Sequence, residues 1–68
     1  MDLRVEIKDF FNNHKEGTSR EIIDWIHNKT RERPSNILVS RHLRKMFLRG
    51  FLDRSPIRSK YLWLYYRE

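Results

Sequence analysis

The stretch Asn36-Ile-Leu-Val-Ser-Arg-His-Leu-Arg-Lys-Met-Phe-Leu-Arg-Gly-Phe51 combines two opposed surfaces in what its spacing predicts to be one helix, from Asn36 to about Arg49. Val39, Leu43, Met46 and Phe47 recur at steps of three and four and so share a face. Ser40, Arg41, Arg44, Lys45 and Leu48 fall on the opposite face. No carboxylate occurs between Pro34 and Phe51, so nothing in the stretch itself offsets its cations. Gly50 stands where a left-handed residue would close the helix. One side can dock on an apolar core, and the other can press a cationic surface against an anionic partner.

The rest of the chain supplies a small base for this helix. Its 68 residues make one domain, 1–68. A chain of this size buries only about 60% of its unfolded surface, so packing must be dense. There is no cysteine, which excludes disulfides and thiolate metal sites; four Phe, three Tyr and two Trp are the available filling. No apolar run approaches the ~20 residues of a membrane span, and Met-Asp-Leu-Arg at the start does not read as a signal peptide. The expectation is an intracellular, cytoplasmic protein. Charge is unevenly placed: residues 1–30 carry five Lys/Arg against six Asp/Glu, while residues 31–68 carry ten against three, giving −1 and +7 and the overall +6. A cationic half points to nucleic acid or another anionic surface.

Leu3 to His14 is predicted as a first helix, with Leu3, Ile7, Phe10, Phe11 and His14 on its apolar face and Asn12-Asn13 and Gly17 ending it. Thr18-Ser-Arg-Glu21 fits a capping box and opens a second helix to about Asn28, burying Ile22, Ile23 and Ile26 with Trp25 on the flank. Lys29 to Ser35 is polar and aperiodic, a loop in which Ser35 can cap the next helix. After Gly50 the period changes. Phe51 to Arg54 reads as a strand, Ser55 to Ser59 as a turn, and Lys60 to Tyr66 as a second, antiparallel strand. Leu62, Leu64 and Tyr66 share one face of that last strand, and Tyr61, Trp63 and Tyr65 share the other. The leucine face is the expected core face.

Two motifs in this order resemble the winged helix-turn-helix family. Thr18-Ser-Arg-Glu-Ile-Ile-Asp-Trp-Ile26 is similar to that family's second helix, and Val39-Ser-Arg-His-Leu-Arg-Lys-Met-Phe-Leu-Arg-Gly-Phe-Leu52 to its recognition helix and the start of its hairpin. The resemblance spans nearly the whole chain. It implies an α+β fold of three helices followed by a two-stranded antiparallel β-hairpin wing. Ile23 stands where the family usually has Ala, and the polar stretch from Asn28 to Ser35 is longer than the family's turn.

The implied function is sequence-specific binding of double-stranded DNA by a small transcriptional regulator of archaeal or viral type, without catalysis. Asn36, Ser40, Arg41, Arg44 and Lys45 are the recognition-helix candidates. One of Ile37 and Leu38 is expected in the core, and the other could remain uncovered and touch a thymine methyl. Arg54, Ser55, Arg58, Ser59 and Lys60 are the wing candidates, with Arg58 suited to a minor groove and the others to phosphates. Arg31, Arg33 and Ser35 form a loop group before the recognition helix. A homodimer through the first helix and the outer, aromatic face of the last strand is expected to raise affinity. His14, His27 and His42 are scattered and lack metal-ligand spacing; no phosphate-binding Gly loop or nucleophile motif occurs, so no cofactor, metal or small-molecule ligand is expected. Two other readings use the same residues: a protein-interaction module docking through the aromatic face, and an RNA or single-strand binder stacking bases on Tyr61, Trp63, Tyr65 and Trp25.

Overall fold

Three helices and a three-stranded antiparallel sheet are present in the computed structural model, which describes residues 2–57 and 59–67, with the backbone alone for residues 59–61. The order is α1 (Leu3–Asn13), β1 (Glu16–Thr18), α2 (Ser19–Thr30), α3 (Asn36–Leu48), β2 (Asp53–Ile57) and β3 (Ser59–Tyr66). Among the described residues, no helix is long and apolar enough to cross a membrane.

Asp2 caps α1, its carboxylate accepting the Arg4 N–H at 3.1 Å. Ile7, Phe10 and Phe11 turn inward together. The helix stops where the His14 backbone becomes extended while its N–H still donates to the Phe10 carbonyl at 2.8 Å. His14 is exposed rather than buried, with its ring stacked on Phe10 at 4.4 Å.

The sheet has one strand more than the expected hairpin. β1 pairs with β3, giving the order β1-β3-β2 with the last strand in the centre. Gly17 lies in β1, opposite Tyr65, and serves close approach rather than helix termination. A Cβ placed there would come within 2.6 Å of the Phe10 ring. Three residues are too few for an alternating pattern to register, so this strand leaves no signature of its own in the sequence.

The capping box of α2 is present: the Thr18 hydroxyl accepts the Glu21 N–H at 3.2 Å, and the Thr18 N–H donates to the Glu21 carboxylate at 3.0 Å. Ile22, Ile23 and Ile26 are buried, and Trp25 meets Phe10 edge to face at 5.6 Å. α2 runs two residues beyond the expected Asn28. Arg31, in a left-handed conformation, then closes it by donating its N–H to His27. The connection to α3 is therefore Arg31 to Ser35, shorter than the polar composition implied.

Ser35 is the N-cap residue of α3, but its hydroxyl makes no capping hydrogen bond, contrary to expectation. Val39, Leu43 and Met46 are buried, and Phe47 packs partly against the core. At the other end, the Gly50 N–H donates to Phe47 and the Phe51 N–H to Met46, with Gly50 at φ 83°. This is the glycine-terminated helix end that the sequence announced. Full burial of each large aliphatic residue in this core contributes about 1.5–3 kcal/mol.

Ser55, Pro56 and Ile57 belong to β2, so the expected turn is largely strand. Pro56 faces Trp63 from the sheet edge, where a missing N–H is tolerated. The orientation of β3 is the reverse of the expected one. Tyr65 is 5% exposed and Trp63 packs on the core, whereas Leu62 is 41% exposed. Both faces of this strand are apolar, so alternation alone could not choose between them, and exchanging the faces exchanges every side chain.

Candidate nucleic-acid interface

The wall of α3 opposite Val39, Leu43 and Met46 is open. On a helix of 3.6 residues per turn, Ile37, Arg41, Arg44 and Leu48 form the line farthest from the core. All four are exposed, Ile37 at 66% and Leu48 at 68%. Leu38, at 49%, flanks them, so both aliphatic residues at the start of the helix reach solvent. Asn36 and Lys45 are exposed as well, and Ser40 is half-buried. Among the described residues, Arg41, Arg44 and Lys45 make no ion pair. The five recognition-helix candidates thus span the solvent side of α3, from Asn36 and Ser40 on one flank through Arg41 and Arg44 to Lys45 on the other.

The loop group is divided. Arg33 donates to Asp24 at 3.0 Å, an exposed pair that holds the connection against α2. Arg31 is exposed at the end of α2, and Ser35 is exposed at the start of α3. These three do not converge on one seat.

The wing group is divided too. Arg54 lies on the core-facing side of β2, opposite Tyr65, with its guanidinium between two rings: 4.3 Å from Phe47 and 4.1 Å from Trp63. Stacking of this kind is worth about 0.5–2 kcal/mol according to exposure. Arg54 therefore fastens the hairpin to α3 rather than standing at a tip. Ser55 pairs with Leu64 on the other face of the sheet. Arg58 and the side chains of Ser59 and Lys60 lie outside the described residues.

The outer surface of β3 presents Leu62, Leu64 and Tyr66 instead of the aromatic set assigned to dimerisation. β3 is the central strand of the sheet, with β1 paired to its Leu64, Tyr65 and Tyr66 alone among the described residues. Sequence reasoning missed Arg20. It lines a shallow groove with Ser19, Ile23, Arg33, Asn36 and Leu62, running from the start of α2 past the start of α3 to the sheet. Only the packing of α2 against α3 brings Arg20 beside Asn36, so no local motif could have named it. The chain matches no model of a known protein family, no curated protein and no solved structure.

Proposed function

We propose that this domain is a winged helix-turn-helix and binds double-stranded DNA sequence-specifically, as a small transcriptional regulator. The observation that carries the reading is the division of α3: Val39, Leu43 and Met46 are buried, while Ile37, Arg41, Arg44 and Leu48 face solvent with both arginines unpaired among the described residues. The order helix, strand, two helices and hairpin is consistent with it. A helix about 10–12 Å across fits a major groove of about 12 Å. There, Arg41 and Arg44 can each bond guanine O6 and N7, Asn36 can pair with adenine, and Ile37 can cover a thymine methyl. Lys45 and Arg31 suit phosphates, and the β2–β3 hairpin lies alongside the backbone.

Base stacking on the last strand is disfavoured by its orientation, since Tyr65 is buried and Trp63 is already covered by Arg54. The test is a salt titration against duplex DNA, single-stranded DNA and RNA. Duplex affinity that is highest of the three and falls linearly with log salt is the expected result. Indifference to all three would favour the protein-interaction module, and preference for single strands would favour stacking.

A further inference from the structure

We propose a second phosphate seat, built by Arg4 of α1 with His42, Lys45 and Arg49, which grips the DNA backbone on the flank of α3 opposite the hairpin. The inference rests on the DNA-binding reading above and adds to it a specific surface and a specific ligand group, the phosphodiester. Phe47 fixes the sides of α3, because its ring touches Arg54 of β2. The flank bearing Phe47, Ser40 and Asn36 therefore faces the hairpin. His42, Lys45 and Arg49 project from the other flank, and Arg4 meets them there from 38 positions earlier in the sequence. Together with Asp2 and Met46 they line one depression.

Three permanent cations in one hollow repel each other, and the structure does little to relieve them. Arg4, Lys45 and Arg49 make no ion pair among the described residues. The one carboxylate in the lining, that of Asp2, accepts the Arg4 backbone N–H at 3.1 Å as the cap of α1. Elsewhere the same chain does pair its cations, as at Lys29 and Arg33. The Asp2 carboxylate meets the partial positive charge of the α1 N-terminus that it caps, and a concave surface with three cations against one carboxylate still concentrates the potential for an anion. A helix lying in a major groove has a phosphate strand on each side. Arg20 and Asn36 border one strand, and this hollow borders the other.

The test uses the whole protein and measures duplex affinity as a function of salt for wild type, R44A and the double variant R4Q/R49Q. The expected result for R4Q/R49Q is weaker binding by the same factor on every duplex sequence, with the salt slope reduced by about 1.8, or 0.9 for each phosphate contact removed. Wild-type protein should also lose affinity for a duplex carrying uncharged methylphosphonates on one flank of the site, and R4Q/R49Q should be insensitive to that replacement. The wild-type half of this second arm requires no change to the protein and so is independent of any folding defect. If R4Q/R49Q keeps the wild-type slope while R44A is weakened, the seat is wrong and the DNA reading stands. If wild type binds no duplex, both fall together.

Discussion

Lys29 and Arg44 are both exposed cations on helices, yet they are in opposite circumstances. The Lys29 ammonium bonds Asp9, stands 3.1 Å from Glu6 and lies 5.0 Å from the Trp25 ring. It ties α2 to α1. Arg33 is likewise held by Asp24, and Arg54 by Phe47 and Trp63. Along α3, by contrast, Arg41, Arg44 and Lys45 have no acidic partner among the described residues. The difference does not come from abundance of cations. It comes from where the carboxylates are: six in residues 1–30 and none from Pro34 to Phe51. Net charge counts both kinds of cation alike, while the structure separates those used in folding from those left available to a partner.

The largest expected effect breaks this contrast if it fails. Arg44→Ala should cost about 1–3 kcal/mol in duplex affinity and relax preference at one base position, measured by competition among duplex sequences. Its unfolding free energy should stay within about 0.5 kcal/mol of wild type, as for a surface change without partners. Loss of stability comparable to the loss of affinity would place Arg44 with Lys29 among the folding cations. Gly17→Ala should show the converse. The added methyl presses on the Phe10 ring, and overpacking of this kind costs about 1–3 kcal/mol in urea unfolding. The salt slope of DNA binding by the folded protein should be unchanged.

These two positions also show what could be read from the sequence. The face of α3 was legible because 3.6-residue periodicity, a glycine stop and the absence of acids all lie within one continuous stretch. The capping box at Thr18 and the isoleucine face of α2 were legible for the same reason. What failed depended on contacts between distant segments. Gly17 reads as a helix stop in the sequence because nothing local reveals that Phe10 packs over it. The inward face of β3 is not legible in the sequence because leucines and aromatics are both apolar, and only the contact of Trp63 with Arg54 and the place of Tyr65 in the core distinguish them. The charge of Arg54 suggests a wing tip, whereas two rings, each on another element, decide its place.

Smaller effects sharpen the scaffold side of the contrast. Thr18→Ala removes the hydroxyl that accepts the Glu21 N–H and donates to the Glu21 carboxylate, while the Thr18 backbone N–H still donates to that carboxylate. A stability loss of about 1 kcal/mol is expected, with wild-type salt dependence of binding. An undiminished unfolding free energy would mean that solvent replaces the cap at no cost.

Lys29→Met should produce the smallest change, and its dependence on pH identifies it. The hydrogen bond to Asp9, then that to Glu6, raises the Lys29 pKa above the ordinary lysine value of 10.5, outweighing the opposing effect of desolvation. A folded-state value above the unfolded one means that the folded protein holds this proton more tightly. The resulting stabilisation is complete below the unfolded value and disappears as pH rises through the folded value. The stability difference between wild type and Lys29→Met should therefore be constant from neutral pH to about pH 10 and shrink at higher pH. Since the pair is exposed, added salt should reduce the difference. A difference that persists unchanged above that range would assign the effect of Lys29 to its contact with Trp25 through the methylene chain, and not to its charge.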